Sequence, residues 1–335
     1  ETNKKILSGL DVFKLNDTFG FPIDLTKEIA AEAGLGIDEA AFHVEMTRQR
    51  ERARAERLAK DISGWSEDLF GELNAEPTEF DGYDVLKETA KVLALSDGEE
   101  LNDAVSTDYE ERENVLVVLD RTPFYAEMGG QVADNGVIET DGALFQVTDV
   151  QKDKAGTANL KVNQVKKTPK GFYVHTCTLL DGTIRVGDTV TAAVDEQRRA
   201  SICRNHTATH LMQKALREVL GEHVHQAGSY QDDKITRFDF THFNAVTPEE
   251  LVEVEKRVNE KIFAALPVTI QNLPIEEAKK MGAMALFGEK YGKVVRVVDA
   301  GGWSVEFCGG THVKNTAQIG CFKILSEASV AAGIR

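Results

Sequence analysis

Two histidines stand four residues apart in the short segment NHTATH, at His206 and His210. The surrounding run, EQRRASICRNHTATHLMQKALREVL, has the apolar periodicity of a long helix, and Gly221 is placed to end that helix. On a helix, residues four apart lie about 40° apart around the axis, so the two imidazoles share one face and can bind one ion. A His-x3-His pair alone is moderate evidence for a metal, because chance produces it easily.

A second pair of candidate ligands follows much later in the sequence, in the segment CGGTH. Cys308 and His312 are ligand types that zinc accepts, and the two glycines between them predict a sharp turn that directs both side chains inward. With the helical pair they would supply four donors for a tetrahedral Zn2+ site. The alternative is a small buried cysteine and an ordinary loop histidine. Cys203, His223 and His225 are further candidates for the fourth ligand position.

The place at which HExxH metalloproteases have their catalytic glutamate is occupied by Thr207. Four protein ligands would close a zinc site, which is typical of structural zinc, whereas catalysis through bound water needs an open position. A metal site with threonine hydroxyls, such as Thr209 on the other flank of the pair, and without a carboxylate base favours cleavage of a labile ester over proteolysis.

Strand alternation places further side chains. In WSVEFC it puts Glu306 on the same face as Cys308, so we expect Glu306 to face the metal cavity, where it could order water or a ligand histidine. The alternative for Glu306 is a solvated strand glutamate. In TRFDF the same alternation predicts a surface ion pair between Arg237 and Asp239.

Composition limits the class of protein and its compartment. The 335 residues, 42% hydrophobic and 28% charged, are typical of a soluble globular chain of two or three domains. No apolar run approaches the roughly 20 residues that span a bilayer, so we expect no membrane partner. Four cysteines without a CxxC pair indicate a reducing, cytoplasmic compartment rather than a disulfide framework. The chain starts at Glu1, and we expect it to be a piece of a longer protein.

The net charge of −16 argues against sequence-independent nucleic-acid binding, because phosphate contacts need local cations. An RNA partner would therefore have to contact basic clusters on an acidic body, although solvated helix and loop faces are the favoured explanation for either cluster alone. The two candidate clusters are Arg48, Arg50, Arg52, Arg54, Arg57 and Lys60 in one stretch, and Lys161, Lys166, Lys167 and Lys170 in another.

The periodicity predicts a multi-domain chain that begins with an α-helical segment over residues 1–98. Asp24 is placed to cap a helix that Gly34 ends, and Asp38 to cap a long polar helix. DVLKETAKVL reads as a further short helix or a helix-to-strand transition.

Residues 99–195 are predicted to form a small antiparallel β-barrel, because β-branched runs alternate there with glycine turns. The runs are NVLVVLD, GVIETD, ALFQVTDV, FYVHTCTLL and DTVTAAVD, separated by Asn-Gly, Asp-Gly and Val-Gly-Asp, with a tight turn at Gly129-Gly130. Residues 196–335 are predicted to form a zinc-containing α+β domain. Its expected elements are the histidine-bearing helix, a helix from Pro248, and the strands TRFDFTH, KVVRVVD, WSVEF and CFKIL.

Several long motifs resemble the editing domain of bacterial alanyl-tRNA synthetases. They are RNHTATHLMQKALREVLGEHVHQAGSY, RFDFTH and VEFCGGTHVKNTAQIGCFKILSEASVAAGIR, and both FYAEMGGQVADNG and FKLNDTFGFPIDLT are similar to the same family. The resemblance covers almost the whole chain, in the family's order. Met128 stands where the family has serine and Ala133 where it has glycine, and we expect both to lie in the barrel, away from the metal.

The resemblance implies a proofreading hydrolase that cleaves seryl-tRNA or glycyl-tRNA formed on tRNA(Ala). It implies that Thr209, Gln226 and Ser229 belong to the pocket for the misacylated end, with Glu306 a further catalytic candidate, and that Arg335 lies near the RNA. The implied zinc ligands are His206, His210, Cys308 and His312.

The resemblance places the ATP-dependent charging core and the oligomerisation region outside this sequence, and it gives no DNA partner. Residues 1–98 would be the end of the tRNA-recognition region. Three alternatives share some of these features: a free-standing editing protein, a zinc-stapled tRNA-binding module without hydrolytic activity, and a generic metallohydrolase.

Overall fold

The computed structural model describes residues 6–17, 23–42, 69–71, 73–107, 111–140, 158–284 and 292–335. The chain divides into two units, residues 1–66 and 67–335. The basic cluster from Arg48 to Lys60, most of the long polar helix after Asp38 and the predicted strand ALFQVTDV lie outside the described residues. Within the described residues, no helix combines the length and apolar character that crossing a membrane requires.

The first unit contains two helices and a pair of very short parallel strands in its described residues. These elements are β1 (Ile6–Leu7), α1 (Gly9–Asp17), α2 (Ile23–Glu32) and β2 (Gly36–Ile37).

The ends of these helices agree in part with the sequence. Helix α2 begins at Ile23, so Asp24 lies inside the helix and the prediction that it caps the helix is wrong. Gly34 follows the helix with φ +71°, a left-handed conformation that glycine adopts without strain, so the predicted end is confirmed. Asp38 caps the next helical turn, over residues 39–42, since its Oδ1 accepts the Ala41 N–H at 3.0 Å.

The first half of the second unit is a closed antiparallel barrel. The strands of this half are β3 (Glu79–Phe80), β4 (Lys87–Ser96), β5 (Leu101–Asn102), β6 (Ala104–Ser106), β7 (Arg112–Leu119), β8 (Arg121–Thr122), β9 (Gly136–Thr140), β10 (Ala158–Lys167), β11 (Tyr173–Arg185) and β12 (Thr189–Val194), of which β3 and β8 form a separate parallel pair. Six of them run in the order β10-β9-β12-β4-β7-β11, and β10 pairs again with β11 to close the ring. Alternate side chains of these strands fill one apolar core. The predicted small antiparallel barrel is confirmed.

The barrel includes residues that the sequence analysis assigned to the helical segment 1–98. Strand β4 overlaps the segment DVLKETAKVL, which was predicted as a helix or transition, and it pairs with both β7 and β12. Ala90, Val92 and Ala94 are buried at every second position, so period-two burial against two neighbouring strands outweighs the helix propensity of Lys87–Ser96. A domain boundary at residues 98/99 would separate β4 from β7 and β12, the two strands with which it pairs.

Two other details of the barrel differ from the sequence prediction. Strand β10 was not predicted, although it pairs with both β9 and β11. Asp181-Gly182 does not end a strand, because β11 continues through Gly182, which has φ +89°, and goes on to pair with β6.

The second half of this unit is an α+β layer in which two helices pack on each other. Its elements are α3 (Glu196–Leu220), β13 (Gln226–Gln231), β14 (Thr236–Phe240), α4 (Pro248–Phe263), β15 (Val268–Pro274), α5 (Ile275–Lys280), β16 (Val294–Ala300), β17 (Ser304–Phe307) and a 3-10 turn (Thr316–Ile319). Strands β15, β16 and β17 form an antiparallel sheet. Helices α3 and α4 share an apolar core that includes Leu211, Ala215, Val254 and Val258.

The bounds of α3 match the prediction, with Asp195 accepting the Arg198 N–H at 2.9 Å and Gly221 following the last turn. The predicted strand CFKIL is wrong, because residues 321–330 have no strand conformation. Side chains of α4 bind the backbone there instead of a neighbouring strand. Asn259 bonds both the N–H and the carbonyl of Phe322, each at 2.9 Å, and Glu255 accepts the Ile324 N–H at 3.1 Å.

A buried ion pair attaches the start of α3 to the barrel. The Arg199 guanidinium donates to the Asp134 carboxylate and to two backbone carbonyls, Gly82 at 2.5 Å and Pro123 at 2.9 Å. Asp134 also accepts the Tyr125 N–H at 2.7 Å. Because both charged groups are buried and fully hydrogen-bonded, they fix the direction in which α3 leaves the barrel.

Replacing one partner of this pair should destabilise the second unit strongly. Arg199→Met leaves the Asp134 carboxylate buried without its counter-ion, and we expect a loss of about 3–5 kcal/mol in the free energy of unfolding, measured by urea denaturation. The exposed pair of Arg237 and Asp239 provides the control, since Arg237→Met should leave the unfolding midpoint unchanged. Equal midpoints for the two variants would contradict this account of the pair.

Candidate metal centre

The histidine pair of α3 and the CGGTH segment converge on one point. His206, His210, Cys308 and His312 each present a ligand atom, and these atoms all lie within 4.8 Å of one another. Cys308 Sγ is 3.4 Å from His206 Nε2 and 3.3 Å from His312 Nε2. Zinc bond lengths in a tetrahedral site would place such sulfur and nitrogen atoms about 3.6 Å apart. The four side chains therefore have the spacing that a tetrahedral ion requires.

The three further ligand candidates point elsewhere. Cys203 Sγ lies close to the metal loop, but it donates to Thr311 Oγ1 at 3.2 Å and does not face the ligand atoms. His223 pairs with His242 at 2.8 Å. His225 Nδ1 lies 3.4 Å from Arg217 Nη1. None of the three belongs to the group of converging ligand atoms.

Burial keeps the three imidazoles neutral. It lowers the pKa of His206 to about 3, and it holds the pKa values of His210 and His312 well below the ordinary range, with repulsion between neighbouring imidazoles adding to the effect. Neutral imidazoles offer nitrogen lone pairs, whereas the cysteine must lose its proton when it binds a metal. The folded chain thus presents histidine ligands in their metal-binding form near neutral pH.

Each imidazole faces an oxygen atom outside the ligand group. His206 Nδ1 lies 2.8 Å from Gln131 Oε1, and His312 Nδ1 lies 3.1 Å from Thr207 Oγ1. The third, His210, has Nε2 at 3.8 Å from Glu306 Oε2, which is longer than a hydrogen bond. Such outer partners orient ligand histidines in metal sites and fix which nitrogen carries the proton.

Thr207 has a specific part in this arrangement. Its hydroxyl oxygen contacts His312 Nδ1 and also accepts the Val313 N–H at 3.2 Å. One side chain of helix α3 therefore holds both a ligand and the backbone of the loop that carries it. A threonine in place of the peptidase glutamate supports the ligand set and provides no carboxylate for activating water.

Glu306 lies inside the protein beside the site, as strand alternation predicted, so its alternative as a solvated strand residue is wrong. Ser304 Oγ donates to Glu306 Oε1 at 3.0 Å. Burial raises the pKa of Glu306 to about 8, so the metal-free chain holds this carboxyl protonated at neutral pH.

Of the two glycines of CGGTH, Gly310 is required for close packing. The chain bends at Gly310 and directs Cys308 and His312 to one point, as predicted, but neither Gly309 nor Gly310 has a positive φ, so the bend does not depend on left-handed glycine backbone. A Cβ at Gly310 would lie 2.1 Å from Cε1 and 2.4 Å from Nδ1 of His206, so only glycine lets the loop approach the ligand. At Gly309 the nearest atom would be Met128 Cε at 3.3 Å, the flexible end of a side chain.

Two residues hold this loop from outside. Arg296 Nη1 donates to the Cys308 and Gly310 carbonyls, both at 2.8 Å, and its guanidinium stacks on Tyr83 at 4.1 Å. Tyr83, from the barrel half, donates its hydroxyl to the Gly309 carbonyl at 2.5 Å. The loop is therefore fixed by β16 and by the barrel together.

The barrel turn at Gly129-Gly130 reaches the metal loop, which corrects the expectation that Met128 lies away from the metal. Met128 packs near Gly309, and it is 54% exposed, so it stands at the surface of the site. Ala133, the other departure from the family pattern, is buried, and its carbonyl accepts Arg198 Nη1 at 2.7 Å.

The pocket candidates lie on α3 and β13. Thr209 is buried on α3, where its hydroxyl donates to the Asn205 carbonyl at 2.9 Å and lies 3.2 Å from Thr236 Oγ1. Gln226 Nε2 donates to Ser229 Oγ at 3.1 Å. Ser229 packs against the barrel turn so closely that a Cβ at Gly130 would lie 2.4 Å from its Oγ.

At the end of the chain, Arg335 pairs with Glu327 through two hydrogen bonds, and its backbone pairs with Phe240. The surface ion pair of Arg237 with Asp239 is present at 2.8 Å, as predicted.

Sequence reasoning missed three residues of the site: Gln131, Tyr83 and Arg296. None belongs to a ligand motif, and all three act on ligands that are distant in sequence. The only available signal was that Gln131 follows the predicted Gly129-Gly130 turn, which says where the backbone bends but not what the side chain meets.

Comparison with known proteins gives two family models that match the chain. One, described as tRNA synthetases class II (A), matches residues 1–198, and the other, described as the threonyl and alanyl tRNA synthetase second additional domain, matches residues 295–335.

Curated relatives match along nearly the whole chain. The chain is 48% identical over 339 residues to an alanine–tRNA ligase of Acetivibrio thermocellus, which covers 100% of this chain and 36% of the relative. The corresponding enzyme of Alkaliphilus oremlandii is 48% identical over 331 residues, with 98% and 36% covered. That of Bacillus velezensis is 47% identical over 336 residues, with 100% and 36% covered. The chain thus spans 36% of the length of these relatives.

The two glycines of the loop should differ sharply in their tolerance of a methyl group. Gly310→Ala forces a Cβ into the His206 ring, so we expect Zn2+ binding to weaken by at least about tenfold in a chelator competition. Gly309→Ala, the matched control, meets only the end of Met128 and should bind like the parent chain. Equal affinities for the two variants would show that the loop approaches the helix less closely than the structure has it.

Proposed function

The chain belongs to the alanyl-tRNA synthetase family, and from that membership we propose that it hydrolyses the ester of tRNA(Ala) mischarged with serine or glycine. The observation that carries the proposal is the converging group of three imidazoles and one thiol, lined by threonines and without a peptidase glutamate. The match of residues 295–335 to a second additional domain of threonyl and alanyl tRNA synthetases supports it further.

A separate hydrolytic site is needed because an amino-acid binding pocket can discriminate only to a limited extent between similar amino acids. A pocket that fits alanine cannot exclude the smaller glycine, and it rejects serine only weakly because packing alone discriminates poorly against one added hydroxyl. A second site that recognises the hydroxyl can remove the serine ester and leave the alanine ester. This is the selection that we assign to the polar side chains beside the metal centre.

We propose Zn2+ as the ion. Three imidazoles and one thiolate are a ligand set that zinc accepts in tetrahedral geometry, and the sulfur–nitrogen distances of 3.3 and 3.4 Å suit its size. His206, His210, Cys308 and His312 would hold it. When bound, zinc supplies a fixed positive charge that can polarise a substrate group or organise the polar residues around it.

The chain's own residues would select the substrate. Thr209 uses its hydroxyl hydrogen on the Asn205 carbonyl, which leaves an oxygen lone pair to accept a hydrogen bond from the serine hydroxyl. Gln226 and Ser229 are joined by a hydrogen bond, and we assign them to binding the misacylated end. Glu306 lies 3.8 Å from His210 inside the protein, and once ionised it would be the candidate for accepting a proton.

The tRNA partner would contact basic side chains on an otherwise acidic surface. Lys161 and Lys167 are exposed on barrel strand β10, although Lys167 also lies 5.2 Å from the centre of the Tyr173 ring. We retain these lysines, and Arg335 at the end of the chain, as candidate RNA contacts in a cytoplasmic enzyme. For the parent protein we propose ATP-dependent charging of tRNA(Ala) by parts outside this sequence.

The ligand count favours a second candidate function. Four protein ligands close a zinc site, which is typical of structural zinc, so the ion could serve only as a staple in a tRNA-binding module. The two candidates differ in one property, since a module of that kind binds RNA without releasing the amino acid.

Hydrolysis of charged tRNA separates the two. We expect the chain to release serine from tRNA(Ala) at least about tenfold faster than alanine, since recognition of one polar group gives at least that ratio, and to release glycine as well. Removing the metal with a chelator should abolish the release. A chain that binds tRNA(Ala) and releases neither serine nor glycine would support the binding module instead.

Removing one hydroxyl should reduce the discrimination. Thr209→Val keeps the shape of the side chain but loses the acceptor, so we expect serine-ester cleavage to fall about tenfold while alanine-ester cleavage stays unchanged. Single-turnover assays on both esters measure the effect, with Thr191→Val in the barrel as the control. Unchanged rates for both esters would eliminate this role for Thr209.

A further inference from the structure

A barrel side chain contacts both halves of the metal site. Gln131 Oε1 lies 2.8 Å from His206 Nδ1 on helix α3 and accepts the Thr311 N–H, also at 2.8 Å, in the metal loop. Gln131 Nε2 donates to Thr311 Oγ1 at 2.9 Å. Thr311 stands directly before the ligand His312, so one amide group spans the helix ligand and the loop ligands.

The hydrogen bonds fix which way this amide points. If its oxygen and nitrogen were exchanged, the NH2 group of Gln131 would face the Thr311 N–H, and two donors would oppose each other. The amide oxygen therefore faces His206. An amide oxygen carries no hydrogen, so the short contact requires the proton on His206 Nδ1. The lone pair is then on Nε2, the nitrogen that lies 3.4 Å from Cys308 Sγ.

The surroundings leave Gln131 little freedom. Its side chain is 0% exposed, so water cannot replace the amide. Its backbone is held by the tight turn, in which Gln131 and Met128 exchange hydrogen bonds of 3.1 and 3.2 Å. A Cβ at Gly310 would lie 2.8 Å from Gln131 Oε1, which shows how closely the loop packs on it.

We propose that Gln131 is a positioning residue through which the β-barrel sets the metal affinity of the neighbouring domain. It holds His206 in the tautomer that presents Nε2 to the ion, and it ties the metal loop to the same point. Groups of this kind around a metal ligand typically change metal affinity by about 10- to 100-fold. This inference rests on the metal-binding part of the proposed function and does not depend on hydrolysis.

A neighbouring glutamine supplies a matched control. Gln231, on β13, is also buried and lies beside Gln131 in a β-bridge, but neither atom of its amide has a hydrogen-bond partner among the described residues. Gln131→Met and Gln231→Met remove the same atoms from adjacent buried positions. Only the first removes contacts to the metal site.

The test is Zn2+ affinity of the chain, measured by competition with a chromophoric chelator. We expect Gln131→Met to bind about 10- to 100-fold more weakly, and Gln231→Met to bind like the parent. Gln131→Glu should stay within a few-fold of the parent, because a carboxylate can accept from both His206 Nδ1 and the Thr311 N–H. Equal affinities for the two methionine variants would overturn the proposal.

A second readout does not depend on the variants folding. In the zinc-loaded parent chain, 15N NMR should show His206 protonated at Nδ1, and an unprotonated Nδ1 would overturn the proposal. Hydrolysis distinguishes this inference from the proposed function. A parent chain that binds Zn2+ with the expected variant series but releases no serine leaves the role of Gln131 intact and removes the editing activity. A parent chain that binds no Zn2+ would overturn both.

Discussion

The structure of the second unit depends on the contact between one helix and one loop that is distant in sequence. Helix α3 brings His206 and His210 onto a single face, and the loop after β17 brings Cys308 and His312 against them. The histidines of the helix are buried and the two ligands of the loop are partly buried, so a shared ion would occupy the point at which their donor atoms converge. Neutral imidazoles, the glycine that admits the loop and the threonine that ties it are all consistent with a bound ion.

The barrel holds both the helix and the loop through side-chain contacts. Arg199 and Asp134 attach the first turns of α3 to it, Tyr83 reaches the Gly309 carbonyl, and Gln131 reaches both the helix and the loop. The contacts of Arg199 and Gln131 are buried and that of Tyr83 is exposed, and the three come from different parts of the barrel. The barrel and the α+β layer therefore form one framework around the ligands. For the proposed editing function, such a framework would keep the polar pocket in a constant geometry, which selection by one hydroxyl requires.

The sequence predicted the parts of this structure that follow from local chemistry. The bounds of α3, the barrel class and the four ligand side chains could be derived because periodicity, capping residues and ligand spacing are local signals. Strand β4 could not, since its pairing with β7 and β12 outweighs a helical propensity that is also local. The prediction of a strand at CFKIL was wrong for a related reason. Asn259 of a distant helix binds the backbone that a neighbouring strand would otherwise bind.

The outer contacts of the metal site were the least predictable part. Gln131, Thr207 and Arg296 act on groups far from them in sequence, so no motif contains both partners. The role of Gly310 was also obscured, since a glycine required for space and a glycine required for a left-handed turn look the same in a sequence.

X-ray absorption at the zinc K-edge of the metal-loaded chain tests the central claim most directly. The account predicts one ion per chain, bound by three nitrogen ligands at about 2.0 Å and one sulfur ligand at about 2.3 Å. A spectrum without a sulfur ligand, or a chain that retains no zinc after dialysis, would contradict it, because the helix and the loop would then not share an ion.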